Sequence, residues 1–414
     1  MKIILLGLCI FNVFFCKIIK KGIFNPAMIY TIVWSFFVIF PCFLWNDIEW
    51  NYMGLLWIVF SCMSMIIGQG LTISIFNRRE IYFHSNYEEP YVNICILRKI
   101  VLFLCGVCLL RIVYNIISKG FSLSVFYNLD QLLSINNYSA YNRYNTEETV
   151  GVVNQIFLIV QYSLPIFGGY LIHYSTNRKE KIFSILTLLP VTLGLMISNA
   201  KAGFIASVFN FVISYMISSY LIDGKYKKFS GKVLFTVILA IIIFIGIMFI
   251  SMCMRVGNFS VSTIEYVKNR IMVYAFGQMK AFDEWFPKRN PEYTLGVSTY
   301  MWFFNRLGLV NRVQGVYGYA SSIRTNVYTV FRGIINDFGI WGGQLYIVLR
   351  GMVGGYICQK YESSNRFSIL NFTLLVSSYL FVLYGFIISP WIYTTYALTY
   401  VFFILVMSVT HHLK

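Results

Sequence analysis

The chain has 414 residues, of which 58% are hydrophobic, 19% aromatic and only 12% charged, with a formal net charge of +17. A soluble domain carries roughly 25% charged residues, so this composition excludes a soluble core. The positive charge does not make a nucleic-acid face, because Lys and Arg fall mostly in the breaks between apolar runs. No nucleic-acid partner is expected.

A helix needs about 20 mainly apolar residues to cross hydrocarbon, and such runs recur along the whole chain. In order they predict spans over Ile3–Cys16, Phe24–Leu44, Tyr52–Phe76, Ile100–Ile117, Val152–Tyr174, Ile182–Ile197, Phe204–Ile222, Val233–Met252, Phe338–Ile357, Phe367–Ile388 and Trp391–Val409. The first run resembles a signal-peptide core, but no small-residue cleavage site follows it, so it reads as a span. Backbone in lipid must satisfy its own hydrogen bonds, so the runs are helices. The expectation is an all-α, polytopic integral membrane protein of about eleven transmembrane helices, one membrane domain over residues 1–414.

Cys9, Cys16, Cys42, Cys62, Cys105 and Cys108 lie within or at the edges of apolar runs, which argues against a disulfide framework. The intramembrane cations Arg111 and Arg350 read as residues near span ends that snorkel to the interface.

Orientation follows from the short loops. With the N-terminus outside and the C-terminus inside, every inside loop is basic, from Lys17, Lys20 and Lys21 to Lys225, Lys227, Lys228 and Lys232, whereas the short outside connections hold only Lys2, Lys119, Arg143 and Lys201. Two outside segments are long, 118–151 and 253–337. The second carries ten basic and five acidic residues, an excess on the face where topology rules thin positive charge. Within it Ile264, Val267, Ile271, Tyr274, Ala275, Phe282 and Trp285 keep helical spacing, with Glu265, Asn269, Lys280 and Asp283 opposite. That pattern predicts an amphipathic helix lying on the membrane. A second apolar piece, Leu295–Val310, is broken by Asn305 and Arg306 and reads as re-entrant or interfacial.

Soluble-enzyme motifs are absent, and His84, His173, His411 and His412 all fall near the inner side. No metal-ligand cluster is visible, so neither metal nor cofactor is expected. What the outer side offers is cations suited to phosphate, Arg255, Arg270, Lys280, Arg306, Arg312, Arg324 and Arg332, beside aromatic and amide side chains. Lys201 sits in a tight outer hairpin, Ser198–Gly203. The stretch Asn136–Asn145 mixes amides with tyrosines and reads as a polar loop with groups suited to sugars.

The run Arg324–Gly339, RTNVYTVFRGIINDFG, enters the ninth predicted span. With Tyr293-Thr294-Leu295-Gly296 and Met254-Arg255-Val256-Gly257, it resembles the Wzy-type O-antigen and capsule repeat-unit polymerases. The likeness extends to the layout of many spans, a large late outer loop and three final spans over 338–409. It implies a membrane glycosyltransferase of GT-C-like architecture in a bacterial inner membrane. Its substrates would be undecaprenyl-pyrophosphate-linked oligosaccharides, and a chain-length regulator protein is an implied partner besides membrane lipids. In that setting Arg255, Arg324 and Arg332 are the expected catalytic cations, and Asp337 or Glu284 the expected base. Lys201, Lys280, Tyr274, Asn326 and Tyr328 are expected to bind substrate. Readings from other classes are a lipid-linked oligosaccharide flippase, which should spread cations through spans lining a cavity, and an O-antigen ligase.

Overall fold

A computed structural model describes residues 1–19, 25–76, 92–145, 151–223, 245–311, 322–323, 325, 327–362 and 368–413, and every regular element among them is helical. The helices are α1 (Lys2–Ile19), α2 (Pro26–Leu44), α3 (Met53–Phe76), α4 (Ile94–Ser118), α5 (Leu129–Asn145), α6 (Val152–His173), α7 (Arg178–Leu186) and α8 (Leu189–Ser198). They continue as α9 (Lys201–Asp223), α10 (Ile245–Val256), α11 (Val261–Trp285), α12 (Met301–Arg306), α13 (Thr329–Glu362), α14 (Ile369–Tyr384) and α15 (Thr394–His412). Eight segments among the described residues are long and apolar enough to cross a membrane: α1, α2, α3, α4, α6, α7 with α8, the stretch Lys201–Ser219 of α9, and α15. The chain is therefore an all-helical protein built to lie in a membrane. The predicted span Val233–Met252 lies largely outside the described residues, and α10 covers its end.

Two compact units divide the chain, Met1–His84 with Ile271–Ala397, and Ser85–Arg270 with Leu398–Lys414. In the first, α3 and the second half of α13 pack in parallel. Contacts advance together along both helices: the Trp57 indole donates to the Ile340 carbonyl at 3.2 Å, the Ser64 hydroxyl to Gln344 Oε1 at 2.7 Å, and the Thr72 hydroxyl to the Met352 carbonyl at 2.9 Å. Lipid offers no hydrophobic drive between helices, so close backbone approach and such hydrogen bonds hold them. Gly68 and Gly351 permit the approach: a Cβ on Gly68 would stand 2.0 Å from the Val348 carbonyl oxygen, and one on Gly351 2.4 Å from that of Met65. The start of α1 and the turn after α2 share one end of this unit, where Lys2 Nζ donates to Asn46 at 3.0 Å.

In the second unit α6 packs on α9, with Gly168 and Gly169 closed against Thr187, Phe211 and Ser214. The predicted loop around Asn136–Asn145 is instead helical. It lies in α5, which packs on α8. Its amides serve the fold rather than lying open: buried Asn136 donates to the Leu195 carbonyl at 3.4 Å and to that of Met196, and accepts from Asn199 Nδ2 at 2.8 Å. These bonds serve the end of α8, where the Leu195 carbonyl also accepts from the Asn199 N–H at 2.9 Å.

Arg350 lies on the second half of α13 and is partly exposed. It lies about three turns from Gly339 and from Glu362, at the junction of α2, α13 and α14, with its guanidinium 4.4 Å from the centre of the Phe381 ring.

The α3–α13 packing predicts that Gly68→Ala costs about 1–3 kcal/mol through overpacking. Gly106→Ala, whose added methyl meets nothing within 4 Å, should be neutral. Thermal unfolding of the two purified variants in detergent checks the contrast.

Candidate functional site

α13 is broken at Gly339, whose φ of 71° and ψ of −173° suit a residue without Cβ. The break frees carbonyls at the end of the first half of the helix. Segment 293–299 fills the gap: the Tyr293 N–H donates to the Asn336 carbonyl at 2.7 Å and the Leu295 N–H to that of Asp337 at 3.2 Å. The exchange is mutual. Fully buried Asp337 accepts from the Ser298 N–H at 2.8 Å, the Thr299 N–H at 2.8 Å, the Thr299 hydroxyl at 2.6 Å and the Thr294 hydroxyl. Both carboxylate oxygens are thus engaged with protein donors. From there the chain folds back along α13, so that the Tyr300 hydroxyl meets that of Tyr346 at 2.6 Å, and Ser389 Oγ donates to the Thr299 carbonyl at 2.8 Å.

The sequence places Lys280 and Asp283 on the solvent face of a surface helix. The structure corrects this: the second half of α11 is a core element, with Met279, Ala281 and Phe282 fully buried, Lys280 4% exposed and Asp283 0%. Polar residues opposite an apolar stripe here face backbone donors and acceptors instead of water. Asp283 accepts from the N–H groups of Asn51 at 2.7 Å, Tyr52 at 3.0 Å and Gly54 at 3.1 Å, and so caps the start of α3. Burial lifts its carboxyl above the usual range despite these bonds. Lys280 Nζ donates to the Glu49 carbonyl, pairs with Glu284 at 2.9 Å and lies 5.7 Å from the centre of the Trp50 ring.

Glu284 is one-fifth exposed and accepts from the Ser322 N–H and hydroxyl, each at 2.6 Å, which ties Ser322 to α11. Burial pushes its carboxyl up, but the bonds from Ser322 and Lys280 outweigh that and hold it below the usual range. Half-buried Arg332, on the first half of α13, stands 4.2 Å from the centre of the buried Tyr328 ring and 5.3 Å from that of Trp285. Beneath it, Phe331 packs on Trp34 and Trp57 with ring centres 4.4 and 5.2 Å apart.

The first unit therefore gathers Lys280, Glu284, Tyr328, Arg332 and Asp337 around the broken helix, while Tyr274 lies farther back on α11, half exposed. Arg324 and Asn326 lie outside the described residues. Lys201 and Arg255 belong to the second unit. There Lys201 starts α9 within electrostatic reach of Cys253, and the Arg255 carbonyl accepts from Asn137 Nδ2 at 3.5 Å, beside the Asn136–Asn199 contact. The loop holding Glu49 and Trp50 is the part of the first cluster that sequence reasoning missed; its signal is three aromatic residues, Trp45, Trp50 and Tyr52, in the short connection from α2 to α3. Among the described residues no group of three or more His, Cys, Asp or Glu is placed to hold a metal ion.

Removing the Asp283 carboxylate strands buried N–H groups, so Asp283→Ala should cost about 1–3 kcal/mol, read as a lowered unfolding midpoint. Glu284, with its folded pKa depressed, adds stability that is present above about pH 4.5 and lost as the pH falls below it. The midpoint difference between wild type and Glu284→Gln should shrink over that window. Compared with known protein families, with curated proteins and with solved structures, the chain matches none.

Proposed function

We propose that the protein is a bacterial polysaccharide polymerase that joins undecaprenyl-pyrophosphate-linked oligosaccharide repeats at the outer face of the inner membrane. The observation that carries this reading is the cluster of Arg332, Lys280 and Glu284 among Trp50, Trp285 and Tyr328, at the end of a membrane unit whose loops read as outer. Cations and ring faces there match a ligand that is part pyrophosphate and part sugar.

In the reaction, the bond between the anomeric carbon of the growing glycan and its lipid pyrophosphate breaks, and a hydroxyl of the next lipid-linked repeat forms the new glycosidic bond. Arg332 stabilises charge developing on the departing pyrophosphate. The acceptor hydroxyl loses its proton to a carboxylate. Glu284 suits that task better than Asp337, because its carboxylate is partly exposed and held ionised, whereas that of Asp337 is buried and engaged by four donors. Lys201 and Arg255 supply a second group of outer cations on the other unit. The chemistry needs no metal if these cations carry the leaving group.

The parallel packing of α3 and α13 supports the eleven-span topology, since it requires an odd number of crossings between them. The spans α4, α6, α7 with α8, and α9, together with a crossing that ends in α10, satisfy that parity.

Deletion of the gene should leave surface lipid carrying single repeats on a gel, where loss of a flippase leaves none and loss of a ligase leaves full-length polymer on its carrier. In the deletion background Arg332→Ala should give single repeats at normal protein level, and Arg332→Lys should restore little, because Lys lacks the planar fork and stacking surface. Normal chain lengths in both variants would overturn the role of Arg332.

A further inference from the structure

The chain leaves the C-terminal end of α4 through a turn that folds it back on that helix. Gly120, at a φ of 80°, takes the left-handed conformation that suits a residue without Cβ. Its N–H donates to the Ile117 carbonyl at 2.9 Å, and that of Phe121 to the Ile116 carbonyl at 3.2 Å. The single 3-10 turn that follows, Leu123–Phe126, is held against the helix end, with Val125 buried in one cluster with Ile112 and Ile116 of α4, Ile135 and Ile197.

This stretch is arranged in the opposite sense to a loop in water. Tyr127 is 84% exposed, and Leu123, Phe126 and Leu129 are about half exposed. The polar side chains among them bond one another: the Ser122 hydroxyl donates to Gln131 Oε1 at 3.1 Å, and the Ser124 hydroxyl donates to the same oxygen. The backbone is served from within as well, since the N–H groups of Tyr127 and Asn128 both donate to the Ser124 carbonyl, at 3.0 and 2.7 Å. Lys119 and Asp130 bracket the stretch, and no charged residue lies between them. We propose that residues 123–129 are an apolar wedge seated in the interfacial layer of the bilayer, and that phospholipid covers their exposed side chains.

Depth and continuity both name lipid as the occupant. α4 is long and apolar enough to cross a membrane. From exposed Lys99 to Lys119 it advances by roughly 20 residues, about 30 Å, which is the thickness of the hydrocarbon. Lys119 therefore marks the edge of the apolar layer, and a turn folded back over the last turns of α4 lies at that edge. Along α4, exposed Phe103, Leu110, Tyr114 and Ile117 keep helical spacing and form an outward apolar stripe. The wedge begins where this stripe ends, and Tyr127, with an apolar ring and a polar tip, suits the headgroup level.

The test is electron paramagnetic resonance of the full-length protein in vesicles of phosphatidylethanolamine and phosphatidylglycerol. A nitroxide is placed on Tyr127→Cys or on Leu123→Cys, both exposed positions, in a Cys95→Ser background that removes the exposed native cysteine. Collisions with oxygen, which concentrates in lipid, should exceed those with a water-soluble nickel chelate several-fold at both positions. A nickel-dominated signal at either position, as from a loop in water, overturns the proposal. So does a label shielded from both reagents at either position, as at a contact with a second copy of the chain.

Discussion

The break in α13 at Gly339 is the constraint around which the first unit is organised. A helix interrupted inside a membrane protein leaves donors and acceptors that lipid cannot satisfy. Here the repair comes from segment 293–299, which gives two N–H groups to the carbonyls before the break and places its own Ser298 and Thr299 donors on Asp337. Because the repair is reciprocal, the segment is held in register with the helix. The Tyr300–Tyr346 and Ser389–Thr299 bonds then anchor its far end. The first half of α13, freed from the direction of the second, presents Arg332 to Trp285 and Tyr328.

A second carboxylate has a comparable role nearby. Asp283 caps α3 as Asp337 secures the 298–299 donors, and both are held by backbone N–H groups, with hydroxyls added at Asp337. Backbone N–H groups stabilise buried anions without a counter-charge when several converge, as at helix starts. In the same cluster Lys280 pairs with Glu284, and Arg332 packs among rings.

Composition made the helical membrane architecture legible, because apolar runs and the charge of short loops report directly on lipid and topology. The roles of Lys280, Asp283 and Asp337 were not legible in the same way. A helical wheel distinguishes apolar from polar faces, but the partners of Asp283 are backbone groups of residues 51–54, more than two hundred positions away in sequence, and backbone donors carry no residue signature. The predicted ninth span begins at Phe338 and ends at Ile357, whereas the helix continues to Glu362. The break itself left a trace, since the expected start of that span falls one residue from Gly339.

The glycine seam between α3 and α13 also bears on how the protein is made. α3 enters the membrane long before its partner exists: at roughly 5–20 residues per second of synthesis, α13 emerges after roughly 15–50 s. Through that interval residues 85–270 of the second unit are being synthesised, and the groove at Gly68, with Ser64 and Thr72 alongside, has no α13 to close it. The parallel pairing of α3 and α13 therefore forms late in biogenesis, once residues 85–270 have already been made.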